Sequence, residues 1–354
     1  MSASDSVEET VDLGKWLNYL LFDISGDLSF GESFDCVRSS KAHLWVQISQ
    51  DFGEGLAMIG SINHYIAKYP RFNRLLPHII PKKTLQRALT HHKVSAAKAS
   101  KRLALNIDRP DFVTPATEYL DTKDANLLTV EWQLNMTVIA FAASETTSRA
   151  LTAIMQELLS DPYAMRRLVH ELRDKFEDET AITIATTTDF SYLNAVINEG
   201  LCLDPPAVIG VPRLVPDGGD TVCDRWVPGG TFVTYNQYSA NRQAYNFHEP
   251  NSFVPERFLD LDPADNMASF HPFSVGRQTC LGMRHAYAEV RVTLTRLLWS
   301  FDIVLKDEGD VWDWGELKTY IFWVSAMMLM ILILVTNSFA GQEAFECCLA
   351  GSGW

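Results

Sequence analysis

The chain has 354 residues, 47% hydrophobic and 21% charged, which excludes a disordered acidic protein, a collagen-like fibre and a multi-span membrane protein. Thirty basic side chains against 44 acidic ones leave a formal net charge of −14, which argues against nucleic acid as the main partner. Cys36, Cys202, Cys223, Cys280, Cys347 and Cys348 show no CxxC spacing, so neither a zinc site nor a disulfide scaffold is expected, and a reducing compartment fits best.

The opening MSASDSVEETVDLGKWL has no basic stretch followed by an apolar one, so it reads as neither a signal nor a transit peptide. Apolar positions recur at helical spacing over Val11–Leu28, His43–Tyr65 and Lys82–Leu105, the last two separated by a Pro70–Pro81 loop. The third of these helices carries a basic face (Lys82, Lys83, Arg87, Lys93, Lys98, Lys101, Arg102), which reads as solvated surface. A long, mostly apolar helix follows over Glu131–Leu158, and Asp161-Pro162 starts another that reaches about Phe176. Tyr192–Leu203 is a short helix stopped by Pro205-Pro206. Residues 207–260, rich in Pro, Gly, Val and Thr, read as short strands and turns. A last helix covers Gly282–Ser300, so the expected class is mainly α with a small β region.

Near the C-terminus, Thr319–Gln342 carries no charge and Tyr320–Val335 is almost wholly apolar. Two readings stand. One is a transmembrane helix over Thr319–Ala340, which needs about 20 predominantly apolar residues. The other is a buried terminal strand, TYIFWV, followed by an apolar tail.

The segment Phe273-Ser-Val-Gly-Arg-Gln-Thr-Cys-Leu-Gly282 is a glycine-punctuated loop that delivers Cys280 to the start of a helix, where the helix dipole favours an anionic ligand atom. Gly276 and Gly282 permit tight backbone geometry and close approach to something flat, and Arg277 brings a cation to the same place. A single thiol with no second Cys or His nearby suits a metal whose other ligands come from a cofactor, such as haem iron. In the central helix, Ser144-Glu145-Thr146-Thr147 forms a polar patch. Its threonine hydroxyls can bond back to preceding carbonyls, or an acid–alcohol pair there can relay protons.

FSVGRQTCLG matches the FxxGRxxCxG haem signature in full, and the chain resembles the cytochrome P450 monooxygenases of filamentous fungi. Pro255-Glu-Arg-Phe258 matches the family's PERF element. Ala142-Ala-Ser-Glu-Thr-Thr147 resembles its AGxET oxygen-pocket motif, and Pro212-Arg213 its propionate-binding strand. VDLGKWLNYLLFDISGDLSFGESF looks like a mid-chain helix of the fungal members. The resemblance implies a partial P450 fold over residues 1–324 followed by a divergent apolar tail, 325–354. It implies haem held by Cys280 as metal ligand, with Arg277, Arg213, Phe273 and Gly282 as further cofactor-binding residues, and Glu145 and Thr146 as catalytic residues. The implied activity is insertion of one oxygen atom into a small apolar organic substrate, in fungal secondary metabolism, with electrons from NADPH–cytochrome P450 reductase. If the tail anchors the chain, the implied location is the cytoplasmic face of the endoplasmic reticulum, and otherwise the cytoplasm.

Three departures bear on that reading. Where the family has ExxR, this chain has Glu199-Gly-Leu-Cys202, so Glu199 and Arg257 are expected to lose a shared buried partner. Ala143 stands where the central helix usually has glycine. The resemblance starts at a mid-family helix and stops near Val324, without the family's N-terminal anchor, first β-region, substrate-contacting loop or WxxxR helix. The alternative function is therefore a truncated P450-derived remnant with impaired haem binding and no turnover.

Overall fold

A 36-residue helix, Ala125–Ser160, runs through the middle of the molecule and organises it. At 1.5 Å per residue it is about 54 Å long. The computed structural model describes residues 8–46, 82–105, 109–114, 125–259, 264–306 and 329–334. In chain order these form β1 (Glu8–Asp12), α1 (Leu13–Phe30), α2 (Cys36–Ser39), α3 (Lys82–Ala104), α4 (Ala125–Ser160), α5 (Pro162–Lys175) and α6 (Ser191–Leu203). There follow β2 (Arg213–Leu214), β3 (Asp220–Val222), β4 (Arg225–Val227), β5 (Phe232–Val233), α7 (Gln237–Asn241), α8 (Met283–Ser300), β6 (Phe301–Leu305) and β7 (Leu329–Leu334). The class is mainly α with little β, as the sequence implies.

Local chemistry sets the helix starts. The Asp12 carboxylate accepts from the Lys15 amide, and Asp161 accepts from the amides of Tyr163 and Ala164 with Pro162 in the first turn. Packing then decides the rest. Leu17, Leu20, Leu21 and Phe22 of α1 belong to one core with Leu151, Ile154 and Met155 of α4. Where α6 crosses α4, a Cβ on Gly200 would lie 2.4 Å from Ile154 Cγ1, so only glycine permits that approach. The expected helix over His43–Tyr65 and the Pro70–Pro81 loop fall largely outside the described residues.

The three strands β1, β7 and β6 form an antiparallel sheet with β7 in the centre. Thr10 faces Ile331 and Ile303 faces Leu332 in the two ladders. Periodicity did not reveal β1 or β6, and the expected TYIFWV strand lies outside the described residues. The transmembrane-helix reading of Thr319–Ala340 is corrected: its middle is strand β7, and no helix among the described residues is long and apolar enough to cross a membrane. An unbroken apolar run such as LMILIL satisfies a strand paired on both sides as well as it would satisfy lipid, so hydropathy could not separate the two.

Deleting residues 325–354 should therefore destabilise the fold. It strips both ladders from the sheet, each made of net hydrogen bonds worth about 0.5–1.5 kcal/mol. Ile331→Pro, which removes a donor from a strand paired on both sides, should lower the thermal midpoint in the same direction. An unchanged midpoint in both would show that β7 contributes nothing to stability.

Candidate functional site

The cysteine loop lies between the 3-10 turn Gly276–Gln278 and the start of α8. Ser274 and Gly276 both take positive φ, 61° and 67°, so the loop reverses twice within three residues. The Cys280 amide donates to Phe273 O at 2.8 Å and the Thr279 amide to Gly276 O at 3.1 Å, closing the loop on itself. Cys280 is exposed, and Leu281 beside it is fully exposed. Gly282 has an ordinary φ of −82°, so no strain requires glycine there. A Cβ at that position would meet only Cys280 Sγ, at 3.8 Å.

Cys280 opens onto a cavity of about 250 Å³. Thr146, Thr147 and Ala150 of α4 form one part of its wall, Ile197 and Leu201 of α6 another, and Phe273 and Tyr287 the part beside the cysteine. Among the described residues the site thus has one thiol, mostly apolar walls and the hydroxyls of Thr146, Thr147, Ser274 and Tyr287. Among the described residues no cluster of three or more His, Cys, Asp or Glu could hold a metal ion. A thiol donor alone, open to the cleft, fits a metal that brings its other ligands with it. The residues present fit haem on that chemistry.

Of the predicted acid–alcohol pair, Thr146 lies on the cleft and Glu145 does not line it. Glu145 is 2% exposed, with its carboxylate 3.2 Å from the Arg149 guanidinium and in contact with the Asn18 side chain of α1. Burial pushes its carboxyl above the usual range. Glu145 lies on the side of the helix turned to the protein interior, whereas Thr146 and Thr147 both reach the cleft. Thr146 Oγ1 donates to Ala142 O at 2.7 Å, the back-bond expected of a mid-helix threonine. Arg277 is exposed in the 3-10 turn and Arg213 is exposed on β2, and among the described residues neither guanidinium has a carboxylate partner.

The ion network behind the loop is more complete than the sequence implied. Arg257 Nε meets Glu199 Oε2 at 2.9 Å, and Arg257 Nη1 lies 3.2 Å from Asp265 Oδ2 and 2.8 Å from His248 O. The other Glu199 oxygen accepts from the Val254 amide at 2.8 Å. Asp265, which no motif pointed to, thus stands as a second carboxylate on Arg257. Cys202 is buried on the same turn of α6, and its own carbonyl accepts from Asn241 Nδ2 at 2.6 Å.

The sequence profile of the family described as Cytochrome P450 matches residues 2–324. The chain belongs to the cytochrome P450 family. It is 39% identical over 321 residues to the cytochrome P450 monooxygenase astJ of Aspergillus oryzae, covering 89% of this chain and 62% of that one. It is 36% identical over 321 residues to the monooxygenase astA of Talaromyces wortmannii, with 89% and 63% covered. It is 34% identical over 326 residues to the trichothecene C-15 hydroxylase of Fusarium sporotrichioides, with 91% and 65% covered. This P450 chain therefore spans just over three-fifths of the length of those relatives. Strand β7 lies beyond the last residue the family profile matches.

Burial raises the Glu199 carboxyl from its usual 4.5 to about 7, with Arg257 opposing the shift. A carboxyl raised in the fold stabilises it below about pH 4.5, and that contribution is lost as pH rises through about 7. Cys202→Arg places a second guanidinium one turn from Glu199 and should lower that carboxyl again. The expected result is a higher urea midpoint at pH 8 with a smaller gain at pH 5. Equal midpoints for parent and variant at pH 8 would mean that Arg257 and Asp265 already satisfy the site.

Proposed function

We propose that the chain works as a haem-thiolate monooxygenase that inserts one oxygen atom into a small apolar organic substrate of fungal secondary metabolism. The observation that carries this reading is Cys280: a lone thiol opening onto a largely apolar cleft, with the Thr146 hydroxyl on the cleft wall. Bound haem iron would supply the activation of dioxygen. Cys280 would bind the iron through sulfur, and Gly282 leaves the sulfur accessible. Arg277 and Arg213, which lack carboxylate partners among the described residues, would neutralise the haem propionates. Phe273 would pack beside the sulfur and keep water from it. Thr146 would hand on a proton at its Oγ1. Glu145 would act behind it from the α1 side, where Arg149 holds its carboxylate. The electron donor would be NADPH–cytochrome P450 reductase.

One observation favours a second reading, a P450-derived remnant that binds haem poorly: Cys202 stands where the family has an arginine. The reduced, carbon-monoxide-bound absorption spectrum of the purified chain separates the two. A thiolate-type Soret band supports the monooxygenase, and a haem-free spectrum supports the remnant.

A further inference from the structure

Helices α6 and α8 are joined by two polar rungs. The Tyr287 hydroxyl donates to Asn198 Oδ1 at 2.7 Å, and Arg291 Nε donates to Asn194 Oδ1 at 2.7 Å. The partners on each helix are one turn apart, so the rungs share one helix face. Arg291 also lies 5.1 Å from the centre of the Tyr287 ring, pressing it from the α8 side. The Tyr287 ring also packs against Phe273, centroids 5.2 Å apart and tilted by 45°. Phe273 in turn holds Cys280, because its carbonyl accepts the Cys280 amide at 2.8 Å. Phe273, Tyr287 and Cys280 all line the same cavity. The next residue of α6, Glu199, is bound to Arg257, so Asn198 sits on a firmly held stretch of helix. A fixed contact chain therefore runs from α6 through Asn198, Tyr287 and Phe273 to Cys280. Burial pushes the Tyr287 hydroxyl upward, which keeps it a donor across the neutral range.

We propose that Tyr287, clamped by Asn198, is a positioning residue for Cys280, fixing through Phe273 where the sulfur points within the cleft. This deepens the haem-thiolate reading and rests on it for its meaning, but the geometry concerns the protein alone. A ring that merely filled space would use its faces and edges. Here the hydroxyl determines which way the ring stands, so removing one oxygen should loosen the cysteine loop without opening a core cavity.

The test uses Tyr287→Phe, Asn198→Leu, Asn198→Asp and the Tyr287→Phe/Asn198→Leu double variant. The first readout is the rate at which iodoacetamide alkylates Cys280 in the haem-free chain, followed by peptide mass so that the exposed Cys223 does not interfere. Tyr287→Phe and Asn198→Leu should each raise that rate roughly two- to tenfold, the size of one net hydrogen bond. The double variant should be no faster than the quicker single one, because both remove the same bond. Asn198→Asp keeps the acceptor oxygen and should restore the parent rate. The second readout is the share of thiol-type over thiolate-type band in the reduced, carbon-monoxide-bound spectrum after haem addition, which should rise in the same order. Tyr287→Phe changing the unfolding midpoint but not the alkylation rate would reduce Tyr287 to a structural residue and overturn the proposal. Asn198→Asp behaving like Asn198→Leu would overturn it as well. A parent chain without a thiolate-type band would sink the haem-thiolate reading instead, and the alkylation rates would still decide the positioning role.

Discussion

Cys280→Ala should abolish the thiolate-type absorption band while leaving the helical circular dichroism and the unfolding midpoint nearly unchanged. The two halves of that expectation have separate causes. Among the described residues Cys280 is the one sulfur on the cleft wall, and the other described thiols sit elsewhere: Cys36 and Cys202 are buried, and Cys223 is exposed in the turn between β3 and β4. Burial pushes the Cys36 thiol up to about 12 and Cys202 still higher, so neither is a ready thiolate. The loop itself is held by backbone bonds, from the Cys280 amide to Phe273 O and from the Thr279 amide to Gly276 O, which alanine keeps. Removing an exposed sulfur away from the core should change stability by within about 0.5 kcal/mol. A thiolate-type band surviving in Cys280→Ala would show that the ligand lies elsewhere.

Arg257→Ala should have the largest effect on stability of any single change near the site. The guanidinium is 4% exposed and holds two carboxylates, themselves 2% exposed, together with the carbonyls of His248 and Glu249. Taking it away leaves Glu199 and Asp265 buried side by side without a cation. Breaking a buried ion pair by removing one partner costs about 3–5 kcal/mol. That is a large part of a typical total of about 5–15 kcal/mol. The deficit should also depend on pH. With Arg257 gone the Glu199 carboxyl should rise beyond its present value of about 7, so the folded state holds a proton that the unfolded state releases. The loss is then smallest near pH 5, where that carboxyl is already protonated in the fold, and greatest at pH 8. Urea midpoints at the two pH values check both the size and the sign. A variant as stable as the parent at pH 8 would mean that the network does not hold this part of the fold.

The helix α1 illustrates what short-range pattern can tell. Its apolar spacing and the Asp12 cap are both contained within a few turns of chain, and the helix expected over Val11–Leu28 forms over Leu13–Phe30. Asp161-Pro162 likewise starts α5 where cap and proline chemistry place it. The cysteine loop is legible for the same reason. Its geometry closes within residues 271–286, by hydrogen bonds between near neighbours, so the shape of the loop that carries Cys280 is written in one contiguous stretch.

Other features depend on partners far along the chain. The place of β7 was not legible, because it rests on pairing with β1 at the opposite end of the sequence and an apolar run has no mark that names its partner. Asp265 as the second carboxylate on Arg257, and Asn198 as the acceptor for Tyr287, depend on how separate segments dock. Glu145 turned towards Asn18 because α1 packs along α4 on that side, a choice made by the core and not by the SETT motif. The sequence by itself determined the family, the helices at Leu13–Phe30, Lys82–Ala104, Ala125–Ser160, Pro162–Lys175, Ser191–Leu203 and Met283–Ser300, and the cysteine loop, since each is specified by interactions within a few residues. Only the tertiary structure decided which groups face the cleft, which carboxylates share Arg257 and what clamps Tyr287, since burial and long-range pairing exist only once the segments are packed together.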